Sequence, residues 1–316
     1  MLQNTALLGA NLTLICQDEH CSVYRVKDET GDGQITCYPV FPGIMLHYND
    51  FHLEACNSEF QTLQGTLSIH HCREGRMEWE FQKNQFIYLE AGDLHINNQH
   101  SHGGRFRFPL RHYHGLTVSI FPDQVTASLT ESLMGYSIDL PRLVRCVARC
   151  DKPFLMRAGL DIEHILSEFY SIPEKLRSGY HKIKVLELFL FLGTLDLSEQ
   201  NSERPYFHRA QVEKIRDMRS LLEETPHRHY TLQELSSLFD IGLTTMKQCF
   251  KAVYGSSIYS YMRTYRMNAA TVLLRREDHS IGQVAASMGY ENPSKFSAAF
   301  KEVIGLTPSE YRKTIV

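Results

Sequence analysis

The eight cysteines of this 316-residue sequence include no CxxC pair. Cys16, Cys21, Cys37, Cys56, Cys72, Cys146, Cys150 and Cys249 are too sparse for a disulfide scaffold in a chain of this size, so reduced thiols are expected. No stretch is long and apolar enough for a membrane span. The longest apolar run, Val185–Leu197, is short and carries Glu187 and Asp196. The opening residues, MLQNTALLGANLTLIC, lack the cationic start of a secretory signal. These absences lead to the expectation of a cytoplasmic protein with no membrane partner. What is present is ordinary globular composition, 43% hydrophobic and 22% charged, in a length that suggests two domains.

Net charge is small, at −3, but it divides unevenly. From Arg204 to the end, 16 Lys and Arg stand against 11 Asp and Glu, a balance of +5; the preceding residues hold 17 against 25, or −8. A basic back half points to an anionic partner, of which nucleic acid is the common case. A harmless imbalance is the competing explanation.

Residues 1 to about 125 read as strands. The runs ITCYPV, GTLSIHHC, MEWEFQ, QFIYLE and LTVSIF are separated by GDG, NSE, EGR, AGD and HGG, a spacing that suggests a sandwich or barrel. Residues 126–200 read as helices, and KIKVLELFLFLGTLDL is apolar around most of its circumference, so it is expected in a core or an interface. SEQNSERPYFH reads as a linker, and all-helix periodicity follows from Arg209.

The back half contains an internal repeat, TLQELSSLFDIGLTTMKQCFKAVYGSS and SIGQVAASMGYENPSKFSAAFKEVIGLT. Each copy opens on a capping box, Thr231-x-x-Glu234 and Ser280-x-x-Gln283. A short helix follows, with Leu232, Leu235 and Phe239, or Ile281, Val284, Ala285 and Met288, on one face. After a tight Gly-containing turn comes a second helix, with the stripe Met246, Cys249, Phe250 and Val253, or Phe296, Ala299, Phe300 and Val303, ended by Gly255 or Gly305. Two short helices around such a turn make a helix-turn-helix, whose second helix fits the major groove. Thr244, Thr245, Lys247, Gln248 and Lys251 project away from the first stripe, and Ser294, Lys295, Ser297 and Lys301 from the second. Hydroxyls, amides and ammonium groups of this kind read bases or hold phosphates. A solvated helix face would look similar on its own; the duplication favours DNA. Ser257 to Arg276 reads as one long helix joining the copies, with the stripe Ile258, Tyr261, Met262, Tyr265, Ala269, Val272 and Leu273.

IGQVAASMGYENPSKFSAAFKEVIGLTPSEYRK, with its ending Thr307, Pro308, Tyr311 and Arg312, resembles the C-terminal signature of the AraC/XylS family of bacterial transcription regulators, over about Arg209 to Lys313. The resemblance implies an α+β two-domain fold. A cupin-like β-barrel with dimerising helices would occupy residues 1–200, a linker 201–208, and an all-α domain with two helix-turn-helix units 209–316. It implies a sequence-specific transcription regulator rather than an enzyme, an activator type controlled by a small-molecule effector, with no cofactor. Duplex promoter DNA, RNA polymerase and a second copy of the chain are the implied partners. Base contacts are implied for Thr244, Lys247 and Gln248, and for Ser294, Lys295 and Ser297. Two positions depart from the pattern: Ala298 stands where many members carry Arg, and Gly242 replaces the common Ser cap.

In the front half, LEAGDLHI resembles the strand-turn motif of such barrels. The metal-cupin pattern would draw on His70, His71 and Glu74, then His95, with His100-x-His102 and His112-x-His114 as further pairs. Glu90 stands where Pro is usual and the first His motif is misspaced, so no metal is expected. The barrel interior is the expected effector site, with His47, Tyr48, Phe51, Trp79, Phe86, Tyr88, Phe106 and Phe108 as candidate lining; His47, Trp79, Tyr88 and His95 are the chosen effector residues. The alternatives are a cupin-type metalloenzyme fused to a DNA-binding domain and a DNA-repair methyltransferase. The first needs a clean metal triad. The second needs a four-Cys zinc site, and Cys16, Cys21, Cys37 and Cys56 are too loosely spaced for one.

Overall fold

In the computed structural model, residues 12–57, 66–81, 84–98, 105–149, 153–195, 205–276 and 279–314 are described. The chain divides into two units, Met1–Tyr206 and Phe207–Val316. Period-two alternation builds the first. Its strands are β1 (Thr13–Gln17), β2 (Ser22–Asp28), β3 (Gly31–Phe41), β4 (Ile44–His52), β5 (Ala55–Asn57), β6 (Leu67–Phe81), β7 (Gln85–Glu90), β8 (Asp93–Asn98), β9 (Arg105–Arg107), β10 (Tyr113–Ile120) and β11 (Phe154–Arg157). Neighbours run β1-β2-β3-β4-β10-β6. The first half of β6 also pairs β8, which pairs β11, while its second half pairs β7. Among the described residues no pairing returns from the far end to β1, so the sheet is curled, without a closed ring in view.

Two expected turns are strand instead. EGR, residues 74–76, lies inside β6, which runs unbroken for 15 residues. Gly75 takes φ +83° there, and a Cβ on it would sit 2.0 Å from the His112 carbonyl oxygen. The glycine marks a bulge, where the register against β10 shifts between His114 and Gly115 and the strand bends. GDG is the start of β3. The turn falls just before it, where Asp28 Oδ1 accepts hydrogen bonds from the Thr30 and Gly31 amides (2.7 and 3.1 Å). The expected all-helical stretch 126–200 also contains β11, whose four residues pair with β8.

Four helices cover one side of the sheet: α1 (Ala127–Gly135), α2 (Leu140–Ala148), α3 (Leu160–Phe169) and α4 (Arg177–Thr194). Thr126 and Asp139 cap the first two with side-chain oxygens. The covered face carries Ile44, Leu46, Leu67, Ile69, Leu94, Ile96, Leu116, Val118 and Ile120, none more than 1% exposed. Val185, Leu188, Phe189 and Leu192 of α4 pack against it with Ile162, Ile165, Leu166 and Phe169 of α3. Lys184 is buried beside them, and Glu168 and Glu187 hold its ammonium, the latter at 2.6 Å. A polar network crosses the same layer. Tyr48 donates to the Phe169 carbonyl (2.6 Å) and contacts His181 Nε2 (3.2 Å), and His71 Nδ1 meets the Tyr170 hydroxyl (3.1 Å).

Burial pulls His71 and His181 down to about 4, and His47, on the opposite face of the sheet, to about 4 as well. Burial favours the neutral ring, so the unfolded chain binds more protons than the folded one between the ordinary His value near 6.5 and 4. The stability these neutral rings contribute is complete above about pH 6.5 and is lost as pH falls toward 4. Trp79 is the single tryptophan and lies in this unit, so its fluorescence reports this unit's urea unfolding. The expected loss from pH 7 to 5 is about 2 kcal/mol per buried histidine, and His47→Gln should flatten the slope. A urea midpoint that stays constant from pH 7 to 5 would show that the rings do not behave this way.

Candidate nucleic-acid interface and sensor face

The second unit begins with α5 (Arg209–Glu224), which buries Val212, Ile215, Met218 and Leu222. The two repeat copies follow. The first is α6 (Leu232–Leu238) and α7 (Leu243–Tyr254); the second is α9 (Ile281–Ser287) and α10 (Pro293–Ile304). Between them runs α8 (Ile258–Leu274), and α11 (Pro308–Lys313) closes the unit. Both expected capping boxes form, and α11 opens on another. Thr231 Oγ1 accepts from the Glu234 amide (3.1 Å) while Glu234 accepts from the Thr231 amide (2.7 Å). Ser280 and Gln283 (3.2 and 2.8 Å) and Thr307 and Glu310 (3.2 and 2.8 Å) repeat the exchange. The two amides hold the Glu234 and Glu310 carboxyls below the usual range. Gly255 and Gly305 end α7 and α10 in the left-handed conformation, φ +79° and +87°.

The two turns place their glycines differently, and Gly242 takes the cap position that the sequence suggested. In the first copy the left-handed residue is Asp240 (φ +46°), and Gly242 is the N-cap with φ −58° and no side-chain hydrogen bond. In the second it is Gly289, at the position equivalent to Asp240. A Cβ there would come within 2.5 Å of the His227 carbonyl oxygen, so close approach of two backbones requires the glycine. His229 Nε2 contacts the Gly289 carbonyl oxygen at 2.8 Å. The N-cap of α10 is Asn292, whose Oδ1 accepts from the Ser294 and Lys295 amides (2.8 and 3.3 Å).

The inward stripes of α7 and α10 are buried as Met246, Cys249, Phe250 and Val253, and as Phe296, Ala299 and Phe300. On the outward faces Thr244, Lys247, Gln248 and Lys251 are exposed, with Thr245 half-buried. Ser294, Lys295 and Lys301 are exposed, and Ser297 is half-buried. The structure thus brings each set onto one side of one helix. An ion pair between Arg263 of α8 and Glu302 of α10 ties the second reading helix to the connecting helix.

The buried stripe of α8 departs from the sequence reading. Ile258 and Met262 are buried, but so are Arg266, Met267, Ala270 and Leu274, and Val272 is 58% exposed. Arg266 was not anticipated. Its Nε donates to the Pro226 carbonyl (2.7 Å), Nη2 to the Arg228 carbonyl (2.9 Å), and Nη1 meets His229 Nδ1 (3.3 Å). Nothing in the i, i+3, i+4 pattern marks such a residue, because periodicity scores apolar positions only. Removing it takes the guanidinium donors from the Pro226 and Arg228 carbonyls and leaves a hole where a buried side chain stood. Arg266→Ala is therefore expected to cost the second unit about 2–3 kcal/mol, and Arg266→Lys should not restore it, since one ammonium cannot reproduce a planar fork. Hydrogen exchange of the α6–α8 amides in the full chain measures this; wild-type protection in both variants contradicts it.

In the first unit the face of the sheet away from the helices carries a row of cross-strand neighbours. Cys37 is opposite His47, His47 opposite Thr117, Thr117 opposite His70, and His70 opposite His95. The next row holds Met45, Ser119, Ser68 and Asn97. All are buried. Cys37 Sγ lies 3.2 Å from His47 Nδ1, and His70 Nδ1 3.0 Å from Thr117 Oγ1. Trp79 stands over this row, its ring 4.9 Å from His95 and 5.4 Å from His70. Of the chosen effector residues, His47, Trp79 and His95 therefore share a face. Tyr88 does not: it pairs Glu78, and its hydroxyl donates to Glu78 Oε2 (2.7 Å) on the other side of the β6–β7 pair. Sequence reasoning passed over Thr117, Ser68, Ser119 and Asn97, although each alternates with buried aliphatics along its strand.

The residues that the metal-cupin pattern would draw on do not come together as one set. His70 and His71 project to opposite faces, and Glu74 is exposed beside Arg73 and His112. His100 and His102 lie outside the described residues. Among the described residues, no three His, Cys, Asp or Glu side chains are placed to hold one ion.

Two helix-turn-helix copies joined by one helix define the class, a tandem helix-turn-helix DNA-binding fold. A family model described as a helix-turn-helix domain matches residues 235–314. A putative AraC-like transcription regulator of Streptomyces lividans is 33% identical over 92 residues, 29% of this chain and 30% of that protein. The HTH-type transcriptional activator RhaR of Yersinia pseudotuberculosis is 30% identical over 144 residues, 45% of this chain and 50% of that protein. The chain thus spans half or less of these relatives' lengths. Among solved structures, the DNA-binding domain of AdpA in complex with a target DNA covers 32% of this chain and 91% of its own, at 23% identity and TM-score 0.31. Over its C-terminal part, the chain is thus similar to AraC-type transcription regulators.

Proposed function

We propose that the chain is a transcription regulator that reads two stretches of duplex promoter DNA with α7 and α10 and answers to a small molecule held by the first unit. The observation that carries the DNA reading is the duplicated helix-turn-helix with hydroxyl, amide and ammonium groups along both outward helix faces. In the first head Lys247 and Gln248 are the specifying pair: Lys donates to guanine O6 and N7, and Gln pairs bidentately with adenine. Thr244, Thr245 and Lys251 flank them. In the second head Ser294, Lys295 and Ser297 are short or flexible, and Ala298 offers nothing, so α10 holds phosphate more than it reads bases. Lys301 is assigned to phosphate. RNA polymerase is the proposed partner at the promoter.

The sensing half of the proposal rests on the buried row of His47, Thr117, His70 and His95 beneath Trp79. Imidazoles and hydroxyls facing an aromatic ring suit a small hydrogen-bonding effector with a flat face. A barrel of cupin type around that row is the proposed setting.

The proposal is tested by binding-site selection on the full chain. Gln248→Ala is expected to relax preference at one or two base pairs by about 1–3 kcal/mol. Lys301→Ala should weaken all sequences alike and flatten the salt dependence by about one unit. Affinity that ignores salt, or a Gln248→Ala motif identical to the parent's while Ser297→Ala loses half of it, would reverse the assignment.

A second copy is the proposed cover for the outer face of α4. Leu176, just before its first turn, and Tyr180, Ile183 and Leu190 follow one another at spacings of four, three and seven and are 56%, 36%, 57% and 43% exposed. That is a seam of heptad type. The chain should therefore sediment as a dimer, and Ile183→Glu with Leu190→Glu should give monomers that keep the native circular dichroism. Parent chain that sediments as a monomer at micromolar concentration, with and without promoter DNA, ends the idea.

A further inference from the structure

The second unit contains a cavity of about 500 Å³ whose apolar interior takes no part in the DNA reading. It lies between the first helix-turn-helix and α8. Its apolar wall is Leu222, Leu235, Ile258 and Met262, all buried side chains, with Leu232 beside them. Arg228, Lys247 and Lys251 stand at its exposed edge. No Asp or Glu is among the lining residues. The first turn of the 17-residue α8 contributes Ile258 and Tyr259, so the positive end of that helix dipole adds to the cationic edge.

An apolar hollow of this size takes a small organic molecule. Glu234, outside the lining, lies near Arg228 but is held by the Thr231 amide, and Arg266 is committed to the Pro226 and Arg228 carbonyls, so Lys247 and Lys251 with Arg228 leave the edge cationic and select the charge of its head group. We propose that this cavity binds an amphipathic carboxylate, with its hydrocarbon part against Leu235, Ile258 and Met262 and its carboxylate between Arg228, Lys247 and Lys251. A neutral isostere leaves three cations over an uncharged group and loses the charge-assisted hydrogen bonds. A cation meets repulsion. The site is distinct from the sensor face of the first unit, since every lining residue falls within 222–266. It has one direct consequence. Lys247 is the specifying cation of the first reading head under the function proposed above, and Lys251 flanks it. A carboxylate that engages both removes them from DNA, so occupancy opposes operator binding. This consequence rests on that DNA reading; binding in the cavity does not.

Calorimetry on the full chain, without DNA, tests the site, with decanoate and naphthoate below micellar concentration as probes and decanol and naphthalenemethanol as their neutral counterparts. The expected result is one carboxylate per chain, bound about tenfold or more tighter than the matching alcohol, the worth of one charge-assisted contact. Lys247→Ala with Lys251→Ala should erase that preference, and Leu232→Trp, which fills the cavity from its partly exposed edge, should abolish binding of both probes. Equal affinity for acid and alcohol, no binding, or binding indifferent to both variants overturns the proposal; the last result places the acid elsewhere. The operator assay is separate. Carboxylate should raise the Kd of the parent for its operator and leave the Leu232→Trp chain, whose DNA contacts are intact, unchanged. If the parent binds no DNA in the absence of carboxylate, the DNA reading fails while the calorimetry still decides the cavity. If the acid binds in calorimetry and leaves operator affinity unaltered, the competitive role is wrong.

Discussion

A single buried guanidinium organises the DNA-binding unit. Arg266 projects from the middle of α8 into the loop before the first helix-turn-helix and takes up two of its carbonyls, those of Pro226 and Arg228. The same loop supplies His229, whose other ring nitrogen meets the Gly289 carbonyl oxygen in the turn of the second helix-turn-helix. Backbone at His227 and Gly289 approaches so closely that only hydrogen fits on the Gly289 α-carbon. Connecting helix, first-copy loop and second-copy turn thus share one hydrogen-bonded junction. The spacing of the two reading helices depends on it, because a loop free to move would let one copy swing against the other. Low local dielectric strengthens such a network only while every member is satisfied.

The sheet of the first unit obeys a different constraint. Along much of its central strands β4, β6, β8 and β10 both faces are buried, so polarity there cannot be read as exposure. Ile69 and Val118 face the helices, and His70 and Thr117, one residue along, face the opposite interior. Hydrogen bonds between neighbours make that interior tolerable, as in Thr117 with His70 and with Asn49. The helix side is not wholly apolar either. Tyr48, Tyr170, His71 and His181 form a buried polar seam between sheet and helices, and desolvation keeps its imidazoles neutral.

Much of the second unit was legible because its signals are local. A threonine or serine three residues before an acid or amide fixes where a helix starts, and a glycine after a periodic run fixes where it ends, without reference to the rest of the chain. The turns were partly legible: Gly242 caps α7, as its place before that helix suggested, while the left-handed conformation falls to Asp240, where tertiary packing rather than propensity decides which residue sits at the sharp point. Arg266 was invisible for the opposite reason. Its role exists only through a loop some forty positions away, and no spacing rule reports such a contact. In the first unit the strands were legible and their pairing was not. Gly75 reads as a turn in isolation and is a bulge in context, and Phe154–Arg157 is too short to stand out among helices until β8 is there to receive it. His70 and His71 stand side by side in the sequence and on opposite faces of the sheet. That separation undoes a metal set that adjacency alone suggests.

The two reading helices begin differently. At α10 the first backbone amides are already committed to Asn292 Oδ1. At α7 the N-cap is Gly242, which has no side chain to offer. The opening amides of α7 thus have no side-chain cap, and an oxygen of the nucleic-acid backbone placed over them would complete the helix start. Contact with an anion would then consolidate the first turn of α7 in a way that has no counterpart at α10, where the cap is intramolecular from the outset.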